Sequence, residues 1–324
     1  MNIPASGFSE SGQSKEVRKP KALNSGGVLM PFAPASPAEF ARILAGAEEL
    51  RRLGFQVEDS TPLASDGYFA GPAMGRRNEF QRELEREDVN ALVSVRGGYG
   101  SNYLLDGLEV RRPDSPKVIL GYSDLTSLQL YLWKRYGWIG FYAPMLAAGL
   151  AAGENAASGY DKASFLLAVG KTDSGWTVGL RGETLIPGEA EGRIVGGCLT
   201  LVETTIGTAW ELETDGAILL LEDRGMKPWQ IDRTLMHLKQ AGKFNGVRGF
   251  ILGDFPECDA PMSGSPTVRD VCARILGALN VPIVFGSPVG HTARAMLTVP
   301  LGVRARLRAQ GNGELEILEP AVVP

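Results

Sequence analysis

Histidine is the scarcest chemistry-bearing residue in this chain. His237 and His291 are the only two in 324 residues, so no His-x-x-x-His pair or imidazole cluster is available, and no catalytic metal is expected. Cysteine is nearly as rare. Cys198, Cys258 and Cys272 form an odd, widely spaced set without a Cys-x-x-Cys pair, which argues against zinc and dithiol chemistry and for a reducing compartment. An excess of either charge is also lacking. With 33 Lys and Arg against 37 Asp and Glu, the net charge of −4 is too weak to draw in nucleic acid or an anionic membrane, so a small-molecule partner is expected. Residues 1–25 hold no apolar run of the kind a secretory leader needs. The longest uncharged stretch, Tyr136–Gly153, is 18 residues broken by Pro144 and four glycines, and reads as a buried strand plus loop rather than a membrane span. Glycine-rich loops fail as nucleotide motifs: Tyr103 stands where the dinucleotide fingerprint opened by Gly98 needs a glycine, and Phe165 where a phosphate loop ending in Gly170-Lys-Thr172 needs one. No cofactor is expected.

The composition, 44% hydrophobic and 22% charged, is that of an ordinary globular protein, and the length suggests about two domains. Apolar runs at Gly27–Phe32, Phe55–Val57, Val89–Val95 and Val118–Gly121 alternate with helical patterns. One of these starts at Ser36-Pro-Ala-Glu39, a capping box with proline at the first helical position. Such alternation predicts an α/β fold: an N-terminal doubly wound, flavodoxin-like parallel sheet domain, then a C-terminal mixed α/β domain. The expected division is a mobile tail over 1–25, an N-terminal domain over 26–150, a linker over 151–189 and a C-terminal domain over 190–324. Two alternating runs flanking Gln310-Gly-Asn-Gly313 predict a closing β-hairpin.

Without a metal or cofactor, chemistry falls to side chains. His237 lies off the apolar stripe of its helix and reads as a surface residue. His291 sits in Gly286-Ser-Pro-Val-Gly-His-Thr292, a loop directly after a buried strand, where α/β proteins carry functional groups. In Gly121-Tyr-Ser-Asp-Leu125, Ser123 stands at a strand-to-helix turn resembling a nucleophile elbow, although Leu125 replaces the second glycine. Ser123 or Asp124 could equally cap the helix. Glu222 ends the apolar strand Ala217–Leu221, with Asp223 as its competitor.

Together with Val95-Arg-Gly-Gly-Tyr-Gly-Ser101, Gly196-Gly197, Leu220-Leu-Glu-Asp223, Ile231-Asp-Arg233 and Gly290-His291, these segments resemble the serine LD-carboxypeptidase family of peptidoglycan recycling over about residues 26–320. The resemblance implies a Ser-Glu-His triad on Ser123, Glu222 and His291. It also implies a metal-free, cytoplasmic, often dimeric enzyme that removes the terminal D-alanine of a murein tetrapeptide. A related branch hydrolyses acylated nucleotide antibiotics of the microcin type. Where the family commonly has His-Gly-Pro-Met-Leu this chain has Tyr142-Ala-Pro-Met-Leu146, and Cys198 stands where asparagine is usual. For the oxyanion of such a reaction, the backbone N–H groups of Gly98 and Asp124 are the best placed by sequence. Arg96 is the candidate for a substrate carboxylate. A cytoplasmic ligand-binding sensor is the alternative from another class.

Overall fold

The computed structural model describes residues 16–59 and 64–324. In chain order its first half runs β1 (Val28–Phe32), α1 (Phe40–Arg52), β2 (Gln56–Val57), α2 (Ala73–Glu85), β3 (Ala91–Ser94), α3 (Asn102–Leu105), β4 (Val118–Gly121), α4 (Thr126–Tyr136), β5 (Gly140–Tyr142) and α5 (Lys162–Gly170). The second half continues β6 (Trp176–Gly179), β7 (Glu183–Ile186), β8 (Gly188–Cys198), α6 (Leu199–Glu203), β9 (Ala217–Glu222), α7 (Pro228–Gln240) and β10 (Gly249–Gly253). It closes with α8 (Val268–Leu276), β11 (Ile283–Ser287), β12 (Val299–Leu301), β13 (Arg304–Ala309) and β14 (Glu314–Ile317).

β3 and β4 are buried at every position, as strands covered on both faces must be. The first sheet has the order β12-β5-β4-β3-β1-β2. Its five parallel members follow the 2-1-3-4-5 order of flavodoxin-like sheets. β12 returns from the C-terminal half and pairs antiparallel with β5 at the sheet edge, the place in a sheet where a proline such as that of Val-Pro-Leu is tolerated. The second sheet, β6-β14-β13-β8-β9-β10-β11-β7, is mixed. β8 to β11 run parallel and the outer strands antiparallel, including the expected β13–β14 hairpin.

Strand alternation sorts the core into layers. On β4, Val118 and Leu120 join a central core that also takes Ile218 and Leu220 of β9, whereas Ile119 turns to the outer layer under α2 and α4. Leu219 and Leu221 face the opposite layer under α7 and α8. The central core therefore lies between the two sheets.

Three expectations need correction. Residues 151–189 are not a linker: they contain α5, β6 and β7, and the last two are the edge strands of the second sheet. Here α5 shows little sequence contrast because Leu166 and Leu167 lie off its buried face of Ser164, Phe165, Ala168 and Val169. Of the tail, residues 1–15 lie outside the described residues, and 16–25 are held down. Ala22 and Leu23 are buried, and their N–H groups donate to the carbonyls of Val323 and Val169. Finally, Ser36 does not cap α1, which begins after Glu39 without a side-chain cap. Its hydroxyl instead accepts from the Tyr99 N–H at 3.2 Å, tying the loop after β1 to the glycine-rich loop after β3.

Candidate active site

Residues 218, 220 and 222 of β9 face the same side, so the alternation that buries Ile218 and Leu220 carries the Glu222 carboxylate into the space between the sheets, where it is 0% exposed. A buried carboxylate needs donors, and this one has three. His291 approaches from the loop after β11, its backbone N–H donating to Oε2 at 2.9 Å and its Nδ1 to the same oxygen at 2.8 Å. Gly290 makes that approach possible: its φ is +67°, and a Cβ there would collide with the Glu222 carboxylate. The third donor is the Tyr142 hydroxyl, from the end of β5, at 2.5 Å from Oε1. Because a carboxylate only accepts, the Nδ1 proton is fixed on the Glu222 side and Nε2 is left as the basic nitrogen. Burial pulls the imidazole toward its neutral form, but the charge and hydrogen bond of Glu222 outweigh it and hold the His291 pKa above 6.5.

Ser123 follows β4 at the same carboxyl edge of the first sheet. Its φ of +64° is a left-handed conformation that a non-glycine residue adopts at a cost, as at a nucleophile elbow. Neither Ser123 nor Asp124 caps the following helix. Asp124 turns inward and accepts from the Ser101 N–H at 2.8 Å, bracing the glycine-rich loop. That loop presses on the serine: a Cβ on Gly97 would lie 2.9 Å from Ser123 Cβ and 3.0 Å from Oγ.

The structure bonds Glu222 directly to His291 and brings Ser123 beside them by two routes. Tyr122 packs edge-on against the His291 ring with centroids 5.1 Å apart, and the Ser123 N–H donates to the Tyr142 hydroxyl at 3.4 Å. Among the described residues, no direct hydrogen bond joins Ser123 Oγ to His291. Asp223 has other duties, accepting from the Thr200 N–H and hydroxyl and from its neighbour Arg224 N–H. Gly98 lies in the loop beside Ser36, and Asp124 directly after the serine. Arg96 is exposed and donates to the Pro37 carbonyl at 3.1 Å, while its charge, with those of Arg224 and Arg42, acts on Tyr122. His237 stands apart on α7, half exposed and bonded to Glu203. Among the described residues no group of three or more His, Cys, Asp and Glu is arranged to hold a metal ion, and no helix is long and apolar enough to cross a membrane.

Sequence reading did not foresee Tyr142 or the contact of Gly97 with Ser123. The signal for Tyr142 was its place at the end of a buried strand, where the resemblance has histidine.

Two family models match this chain: the LD-carboxypeptidase N-terminal domain over residues 30–143 and the LD-carboxypeptidase C-terminal domain over residues 191–307. A Bacillus subtilis protein named "probable murein peptide carboxypeptidase" is 32% identical over 89% of this chain and 91% of its own. The microcin C7 self-immunity protein MccF of Escherichia coli is 30% identical over 86% of this chain and 88% of its own. The solved structure of wild-type MccF without ligand superposes with a TM-score of 0.84 at 25% identity, covering 94% of this chain and 99% of that one.

Proposed function

We propose that this chain, which belongs to the LD-carboxypeptidase family, hydrolyses the L,D-peptide bond to the terminal D-alanine of a murein tetrapeptide, with Ser123, Glu222 and His291 as a serine-type triad. Ser123 Oγ attacks the carbonyl carbon while His291 Nε2 takes its proton. Glu222, bonded to Nδ1, holds the tautomer and stabilises the imidazolium. The N–H groups of Gly98 and Asp124 bind the oxyanion, a contribution of about 3 to 4 kcal/mol per donor in comparable sites. When the C–N bond breaks, Nε2 returns the proton to the departing D-alanine amine. Water then attacks the acyl-serine with His291 again as base, releasing the tripeptide and restoring the hydroxyl. Arg96 receives the substrate's terminal carboxylate.

The observation that carries this reading is a fully buried glutamate bonded to a partly buried histidine, next to a serine in a strained turn. The chain reads as two units, the first supplying Ser123 and the second Glu222 and His291. It reads further as a cytoplasmic homodimer acting on muropeptides, without nucleic acid, membrane or cofactor. Three buried, unpaired thiols support a reducing compartment.

A second reading, an amidase for microcin-like acyl-nucleotide conjugates, has its own support. MccF structures of the same fold hold glutamyl sulfamoyl guanosine and aspartyl sulfamoyl adenosine. Mass spectrometry of products from a synthetic murein tetrapeptide and an aminoacyl sulfamoyl adenosine, side by side, separates the two. Release of D-alanine alone supports the carboxypeptidase, and cleavage of the conjugate alone overturns it.

A further inference from the structure

Glu222 shares its charge with two partners, His291 on Oε2 and Tyr142 on Oε1, and the Tyr142 oxygen is also the acceptor for the N–H of Ser123. One phenol thus touches the backbone of the serine turn and the carboxylate of the glutamate–histidine pair. The route is built from two sheets, with Tyr142 ending β5 beside Gly121 of β4 and Glu222 ending β9. Both side chains are fully buried. We infer that Tyr142 is a positioning residue for the triad proposed above, fixing the serine turn against Glu222 and drawing charge from that carboxylate so that His291 releases its proton more readily.

The physics runs in one direction. Burial and the neighbouring Glu222 charge push the phenol's pKa well above 10, so Tyr142 stays a donor throughout the working range. A carboxylate that loses one of its donors in a dry site holds the remaining positive partner more tightly. The groups that also act on the pair are Tyr122, edge-on to His291, and Cys198, opposite Glu222 on β8, with Asp223 and Arg224 following on the chain and Glu257 facing Arg224. Cys198 is kept a neutral thiol by burial and by Glu222. Tyr142 is therefore the neutral group that donates to Glu222 from the first sheet. A histidine at this position would offer an N–H in its place.

The test is titration of the histidines by NMR, two in wild type and Tyr142→Phe and three in Tyr142→His, assigned with His237→Ala and His291→Ala and using the His237 signals as internal reference. Tyr142→Phe keeps the ring and removes the donor. The His291 midpoint should move upward by about half a unit, roughly a threefold change in proton affinity, and Tyr142→His should move it back. The acid limb of kcat/KM should follow, and kcat should fall more than KM changes. A His291 midpoint unmoved in a folded Tyr142→Phe protein overturns the inference. So does a loss of kcat with unmoved midpoint that Tyr142→His fails to rescue. Because the NMR titration needs no turnover, it separates failure of this coupling from failure of the proposed triad, which would appear as undiminished activity in Ser123→Ala.

Discussion

His237 on α7 and His291 after β11 are both paired to a glutamate through Nδ1, at 2.9 Å to Glu203 and at 2.8 Å to Glu222. Local geometry hardly distinguishes the two pairs. Their surroundings do: side-chain exposure is 50% and 27% for His237 and Glu203 against 16% and 0% for His291 and Glu222. Water screens the first pair and its ring meets no nucleophile. The second sits in a low-dielectric space between two sheets with an aromatic wall, a phenol donor and a serine turn beside it. The contact alone does not set the second pair apart; burial and directed neighbours do, and on them rests its proposed role in catalysis.

The sharpest way to break that contrast is to remove the chemistry from one side only. Ser123→Ala or His291→Ala should lower kcat on the order of 10⁶-fold in steady-state assays of D-alanine release, with thermal unfolding little changed for the serine variant. Glu222→Gln should cost about 10⁴-fold in kcat, because an amide in place of the carboxylate no longer selects the Nδ1–H tautomer. Gly97→Ala should come next, about 10²-fold in kcat/KM, since its methyl meets Ser123 Cβ at 2.9 Å and must displace the serine. His237→Ala should leave the rate within about twofold, as befits a surface change.

A pH series sharpens the comparison further. As the proposed base His291 must be neutral, and its pKa is raised above 6.5, so kcat/KM should fall on the acid side with a midpoint above 6.5. Stability runs the other way. A raised folded-state pKa contributes stability that is complete below the unfolded value near 6.5 and is lost as pH rises through the folded value. The stability advantage of wild type over Glu222→Gln, read by denaturant unfolding, should therefore be largest below about pH 6.5 and shrink above it.

Much of this was legible before any coordinates. Buried apolar strands with helices between them announce themselves, as Val118–Gly121 and Ala217–Glu222 do. Acid, serine and histidine each stood at the end of such a strand. What escaped detection depends on partners distant in sequence. β6 and β7 are four residues each and make sense only once β14 and β11 are there to pair with. Ser36 fits the local rule for a helix cap, yet the fold takes its hydroxyl for the loop at Tyr99. Tyr142 looked like a departure that bears on substrate because its partner Glu222 is 80 residues away and on the other sheet.

The measurement that bears most directly on the central claim is intact-protein mass spectrometry of rapidly quenched turnover with a murein tetrapeptide, followed by peptide mapping. A transient tripeptide adduct is expected on the peptide bearing Ser123, absent from Ser123→Ala. Turnover by Ser123→Ala at the wild-type rate, or an adduct carried by any other residue, would contradict it.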